Sequence, residues 1–283
     1  DTDPKCTAGS VTHLDGMAVA QICAGVFQMG SYKKENGRNE DESLHEVGLT
    51  RDYWMGVHEV TQEQFESAMG YQPSSFSGCA TCPVETLSWY EAAAFTNAMS
   101  DAAGLDRCFD CTGSGSKVTC TTASTLASPY ECMGWRLPTE AEWEFATRAG
   151  SRSALSNGGD ITSGGSRDCD GKLQLSDHSY LDDIAIYCGN SPDQTVEVGT
   201  LDANPWNLYD VHGNVWEWCH DGWDGSDYAG DAEDPWGDES ASERIRRGGS
   251  WYHEPRKARS AERHSSAPDA GGEYTGFRVV KSD

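Results

Sequence analysis

Apolar residues recur at helical spacing in three stretches of the first half of this chain and in short runs elsewhere. The strongest stretch is SWYEAAAFTNAMSDAAG, where Ala, Phe and Met fall along one side, Ser88 stands in the capping position and Glu91 follows three residues later. Such a reciprocal pair satisfies the free N–H groups of a helix start, so a helix is predicted after Ser88. Thr61 with Gln64 marks another start, stopped by Gly70, and Thr139 with Glu142 marks a third that runs to Ala149. Strand character is confined to shorter pieces. VFQMGS runs into a glycine turn near residue 30, and Val47, Leu49, Tyr53, Met55 and Val57 give partial alternation. After Gly150 the apolar runs are short, among them DDIAIYCG, RIRRGGSWY and GFRVV, and no long helix is predicted. Helices early and strands late in one chain predict an α+β fold of low regularity.

Composition sharpens this picture. A hydrophobic share of 37% with 31 glycines points to a loop-rich globule, while ten Trp, eleven Tyr and seven Phe supply core area and polar edges suited to a binding cleft. With no repeat and no linker, 283 residues read as one domain over residues 30–283, with an N-terminal segment, 1–29, packed on it. Residues 31–43, SYKKENGRNEDES, read as an exposed loop, and in the acidic segment 220–242 the Trp and Tyr argue that parts pack.

The charge of 21 − 46 = −25 is spread over the whole chain. It repels phosphate backbones and anionic lipid, so nucleic acid and membrane surfaces are poor partners and cations are good ones. A solvated acidic surface accounts for most of these carboxylates. No stretch reaches the apolar length of a membrane span, and the start DTDPKC resembles a processed N-terminus. Eleven cysteines agree with an oxidising compartment, so the expectation is a secreted or extracellular/periplasmic protein after removal of a signal peptide.

Cys79 and Cys82 enclose two residues ahead of a proline and read as a loop-stapling disulfide. Cys6 with Cys23 and Cys169 with Cys188 are the expected remaining bridges. Cys108, Cys111, Cys120 and Cys132 allow either a zinc knuckle or two disulfides in any of three pairings. Eleven is odd. The spare thiol is assigned to Cys219, either buried and inert beside Trp218 or a link to another chain.

Seven motifs in order name a family: MGS at Met29, EVT at Glu59, PVETLSWYEAAAFTNAMS at Pro83, WRLPTEAEWEFATRAG at Trp135, NLYDVHGNVWEW at Asn207, RRGGSW at Arg246 and GFRVV at Gly276. Together the set resembles the formylglycine-generating enzyme, or sulfatase-modifying factor, domain. The resemblance implies an irregular α+β fold of the C-type-lectin-like kind with low regular secondary structure and bound calcium. It places calcium on the side chains of Asp210 and Glu217 and the carbonyls of Gly213 and Val215, which agrees with two carboxylates around a glycine turn in DVHGNVWE. A second calcium site of the family, near residues 182–193, has altered spacing here and is not carried over.

The family's enzymes hold copper through two cysteines five residues apart, shortly after GGS, to oxidise a cysteine of a sulfatase segment. Those positions are His253 and Ala258 here, so the thiolate pair that holds monovalent copper is missing. His253 reads either as part of another metal site with His264, His220 or His212, or as a surface histidine beside Glu254 and Pro255. Ser250 and Trp216 match residues lining the family's cleft. The expectation is therefore a calcium-bearing, disulfide-stabilised module that binds a peptide, glycan or protein through an aromatic cleft of Trp216, Trp218, Ser250, Trp251, Tyr252 and His253. A metal-dependent oxidase with a His-based site and a subunit of an extracellular assembly are the alternatives. The basic side chains Arg246, Arg247, Arg256, Lys257, Arg259 and Arg263 either grip an anion or pair with the chain's own carboxylates.

Overall fold

The computed structural model describes residues 6–162, 167–226 and 230–283. Strands β1 (Val11–Leu14) and β2 (Met17–Ile22) form a hairpin across Asp15 and Gly16, both at positive φ. Periodicity did not single this hairpin out, because β1 is exposed along most of its length. Strand β3 (Gly25–Met29) pairs with β4 (His45–Leu49), and β5 (Tyr53–Gly56) pairs with β2, so the three strands between Val11 and Met29 belong to the domain's own sheets.

The three predicted helices are present with the predicted caps. Helix α1 (Gln62–Met69) opens on the Thr61 and Gln64 capping box and ends at Gly70. Helix α2 (Trp89–Ala103) opens on Ser88 and Glu91, and the hairpin of β6 (Phe109–Thr112) and β7 (Thr119–Thr122) follows it. After β8 (Trp135–Arg136), α3 (Glu140–Arg148) opens on Thr139 and Glu142. Beyond Gly150 only short pieces occur among the described residues: β9 (Ala185–Ile186), β10 (His212–Gly213), β11 (Trp216–Trp223), β12 (Ala232–Glu233), β13 (Glu243–Arg247), β14 (His264–Ser266), β15 (Thr275–Gly276) and β16 (Val280–Ser282).

A five-stranded sheet runs in the order β1-β2-β5-β16-β8, and a four-stranded sheet in the order β14-β13-β11-β15. The main core lies on α2, where Trp89, Phe65, Phe95, Phe277, Trp135 and Trp218 pack together. A second cluster joins Ile22, Tyr53, Met55, Phe145 and Val280. Buried ion pairs tie the polar side of this irregular chain. Arg136 meets Glu142 at 2.6 Å, Arg148 meets Glu144 at 2.8 Å, and Arg247 meets the same Glu144. Arg259 contacts Glu35, Glu42 and Glu262.

Those last contacts refine the reading of residues 31–43 as an exposed loop: the stretch is a loop with residues 32–34, 36 and 40 exposed, but Ser31 and Glu42 are buried. Glu42 is fully buried on Arg259, and Ser31 donates to it at 2.7 Å, so a charged stretch is drawn inward by one guanidinium. In the acidic segment Trp223 and Trp236 line a cavity beside Asp221 and Arg263, which accounts for its aromatic content.

Among the described residues five disulfides close: Cys6–Cys23, Cys79–Cys82, Cys108–Cys132, Cys111–Cys120 and Cys169–Cys188. The zinc-knuckle alternative for the insertion falls, since all four of its cysteines are bridged. Cys219 is free and buried, its thiol held high by burial and by the charge of Asp221, which removes the interchain link as its role.

Candidate functional site

Two neighbouring constellations gather the residues singled out from sequence. The first is the turn between β10 and β11. Asp210, Gly213 and Asn214 all hold positive φ there, and a Cβ on Gly213 would stand 2.0 Å from the Ile186 carbonyl oxygen, so only glycine passes. Asn214 is the knot of the turn. Its N–H reaches the Ile186 carbonyl at 2.9 Å, and its Nδ2 donates to Glu59 Oε2 at 2.7 Å. The Glu59 Oε1 atom accepts the Val215 N–H at 3.0 Å.

Glu217 points inward from β11. Its carboxylate takes Arg278 Nε at 2.6 Å, Arg278 Nη2 at 2.7 Å and Trp143 Nε1 at 2.7 Å. Asp210 Oδ2 accepts the Gly199 N–H at 2.7 Å, while its Oδ1 is buried without a hydrogen-bond partner. Of these three buried carboxylates only Glu217 pairs directly with Arg278, while the charges of Glu59 and Asp210 act on that guanidinium without a contact. Burial first, and the charges of Asp210 and Glu217 second, push the Glu59 carboxyl well up; burial chiefly pushes Asp210 up to about 6.

A buried carboxylate oxygen without a partner, such as Asp210 Oδ1, is of the type that a hard cation takes. Glu217 is committed to Arg278. Among the described residues no three His, Cys, Asp or Glu side chains converge on one point. Of the residues expected to hold calcium, Asp210 is thus the one with an unpartnered side-chain oxygen, while Glu217 and Glu59 are bonded to Arg278, Asn214 and Val215.

The second constellation is the aromatic cluster beside it. The backbone links the two, since the Trp251 N–H donates to the Asn214 carbonyl at 2.9 Å. Trp216 and Trp218 are fully buried, and Trp218 belongs to the main core, where its Nε1 donates to the Leu87 carbonyl at 3.3 Å. Trp251 is buried too, with Nε1 on the Glu273 carbonyl at 2.9 Å. The most exposed member of the cluster is Tyr252, 62% exposed and stacked on the half-buried Tyr274 with centroids 6.2 Å apart.

His253 lies between these rings, 5.5 Å from Trp216 and 5.3 Å from Tyr274 by centroid. The alternative of a plain surface histidine is corrected by its contacts: Nδ1 lies 2.7 Å from Ser250 Oγ and 3.2 Å from Trp216 Nε1. An indole nitrogen only donates, so His253 Nδ1 carries the lone pair and the ring proton sits on Nε2. Burial, with His264 and Arg246 nearby, brings His253 down to about 4, and His264 falls likewise to about 4. Both are neutral at physiological pH.

The other proposed partners of His253 lie elsewhere. His212 is buried with Nδ1 2.7 Å from the Ala258 carbonyl oxygen and Nε2 2.9 Å from Ser156 Oγ. His220 packs against Phe109 and Trp89 and contacts Glu239 at 3.2 Å. Ala258 is buried, and its carbonyl oxygen is the one that meets His212 Nδ1. Two members of these constellations were not assigned a site role from the sequence: Tyr274, which only precedes the GFRVV motif, and Glu59, which opens the EVT motif but whose role in holding Asn214 and Val215 depends on a contact across 155 residues.

Comparison with known proteins places the chain in a family. The sulfatase-modifying factor enzyme 1-like domain matches residues 7–283. A chaperone protein LppX of Paenibacillus barcinonensis is 29% identical over 98% of this chain and 92% of its own. The formylglycine-generating enzyme of Thermomonospora curvata is 36% identical, over 52% of this chain and 49% of its own length. Among solved structures, Treponema denticola variable protein 1 is 28% identical with a TM-score of 0.77, covering 97% of this chain and 99% of that one. The α+β fold with little regular structure is that of the family. Among the described residues no helix is long and apolar enough to cross a membrane.

Proposed function

The chain belongs to the sulfatase-modifying factor enzyme 1-like family, and from that premise we propose that it is a secreted, calcium-bearing binding module rather than a copper oxidase. Its cleft takes a polypeptide partner against Tyr252, Tyr274 and His253. One observation carries the reading: at the two positions where the family's enzymes hold copper, His253 spends its Nδ1 on Ser250 and Trp216, and the methyl side chain of Ala258 has no atom to ligate a metal. A soft metal needs two thiolates there, and the one free thiol among the described residues, Cys219, is sealed in the core.

Calcium fits as a structural ion. Bound at Asp210, it would supply the positive charge that the carboxylates of Glu59, Asp210 and Glu217 exceed over Arg278. Asn214 then carries the order of that turn to Trp251 and the cleft. Five disulfides support an oxidising compartment. The name of the near full-length relative, a chaperone, supports a polypeptide as the ligand over a glycan.

The test is an immobilised peptide array probed with the intact protein, beside a mass-spectrometric assay of a cysteine-containing peptide incubated with copper-loaded protein. The expected result is binding to a subset of peptides, lowered at least tenfold by Tyr252→Ala, with no change in peptide mass. Turnover of the thiol, or no peptide bound, would overturn the proposal.

A further inference from the structure

The basic tract of residues 246–263 divides into cations that are paired and one that is not. Arg247, Arg256, Lys257, Arg259 and Arg263 each reach a carboxylate. Arg246 does not: among the described residues no carboxylate lies within ion-pair distance, although only 7% of its surface is exposed. Its Nη1 donates to Thr275 Oγ1 at 2.6 Å and its Nε approaches His264 Nδ1 at 3.3 Å. Three rings surround the guanidinium, with Cζ 5.9 Å from the Trp216 centroid, 5.8 Å from Trp218 and 5.5 Å from Tyr274.

The sheet fixes this placement. Arg246 on β13 stands opposite Trp218 on β11 and opposite His264 on β14, so the three form one row across a face. A guanidinium withdrawn from water needs an opposite charge, and ring faces offset only part of that cost. In a chain with 46 acidic residues the other cations of this tract have found carboxylates. Arg246, set among Trp216, Trp218 and Tyr274, has none.

His253 adds a second donor in the same place. It shares the rings of Trp216 and Tyr274 with Arg246, and with Nδ1 occupied its remaining polar atom is the Nε2–H. We infer that Arg246 and His253 form a carboxylate-binding subsite of the aromatic cleft, the ligand's carboxylate taking the place of the missing counter-charge and its apolar body lying against Tyr252 and Tyr274. This rests on the binding role proposed for the cleft and names the chemistry of its ligand: an acidic side chain or chain terminus beside an aromatic or aliphatic group. A planar carboxylate suits the flat guanidinium between rings. A phosphate would bring more negative charge toward a chain of net −25, which opposes it.

The experiment uses the intact, disulfide-bonded protein and two probes of one shape, phenylacetate and phenylacetamide, followed by the ring-proton NMR signals of His253. Phenylacetate is expected to bind at least tenfold more tightly than the amide, Arg246→Gln to bring the two to parity, and inorganic phosphate or sulfate at equal concentration not to compete. Equal affinity of acid and amide for the wild-type protein would overturn the inference while leaving the cleft's binding role intact. So would an acid preference that survives Arg246→Gln, and phosphate competing as well as phenylacetate would overturn the choice of carboxylate. Silence of His253 with both probes also overturns it, whereas the peptide array decides the wider binding role separately. The acid and amide comparison needs no variant, so it stands even if Arg246→Gln fails to fold.

Discussion

Arg278 closes on Glu217 with hydrogen bonds of 2.6 and 2.7 Å, and neither side chain is exposed. The pair bridges the GFRVV and NVWEW motifs, and Arg278 also donates to the carbonyls of Gly56 at 3.1 Å and Tyr209 at 2.9 Å. It therefore ties three separate parts of the chain. Arg278→Met removes the charge from an already acidic pocket and leaves Glu217 with Trp143 alone. Breaking a buried pair by deleting one partner costs about 3–5 kcal/mol. Urea denaturation should show a loss of that size at neutral pH, and a loss below about 1 kcal/mol would mean that the pair does not hold these parts of the chain together.

Calcium binding would stabilise the same region by mass action. Because an ion held only by the folded protein shifts the equilibrium, free calcium at a hundred times its dissociation constant adds about 2.7 kcal/mol. Chelator should lower the melting temperature of the wild-type protein, and Asp210→Ala should abolish the difference between chelator and calcium. Differential scanning calorimetry reads both. An unchanged melting curve after prolonged dialysis against chelator would count against the ion at Asp210.

Much of this was legible because capping and family motifs are local signals. Thr61, Ser88 and Thr139 announce their helices through side chains three residues away, and the disulfides Cys6–Cys23, Cys79–Cys82 and Cys169–Cys188 join cysteines close in sequence. What stayed hidden was long-range. The inward turn of Glu42 depends on Arg259, which lies 217 residues away, and the isolation of Arg246 appears only when its neighbours in the tract find their carboxylates. The capture of His253 Nδ1 by Trp216 Nε1 likewise needs a contact across 37 residues. Charge patterns along a chain say which residues can pair, and topology says which do.

The thiol inventory gives a prediction without a mutation. Cys219 is buried and the other ten cysteines are bridged, so a thiol reagent should titrate no group in the native protein, one after denaturation and eleven after reduction. Reduction should also destabilise. The Cys108–Cys132 bridge closes a loop of 24 residues, for which chain entropy gives about 3 kcal/mol. Two titratable groups in the denatured, unreduced protein would show that one bridge is open.

Asp221 makes a pH prediction whose sign follows from its surroundings. It is buried at the start of α3, where Oδ2 accepts the Glu140 N–H at 2.7 Å and Oδ1 the Gly237 N–H at 2.8 Å. Burial, and after it the charge of Glu140, raises its carboxyl to about 7. A carboxyl with a raised folded-state pKa binds its proton more tightly folded than unfolded. Its contribution is therefore present below the unfolded value of about 3.9 and is lost as pH rises toward 7. Asn cannot titrate, so Asp221→Asn should be at its worst relative to wild type near pH 4 and gain on it steadily up to pH 7. The full swing amounts to roughly 4 kcal/mol for a shift of about three pH units, taken as an order of magnitude. Denaturant melts of both proteins at pH 4, 5.5 and 7 measure it. Histidines do not confuse the comparison, because His212, His253 and His264, all held near 4, are common to both proteins and cancel in the difference. A stability difference that stays flat with pH would show that Asp221 is ionised throughout, with its two N–H donors outweighing burial.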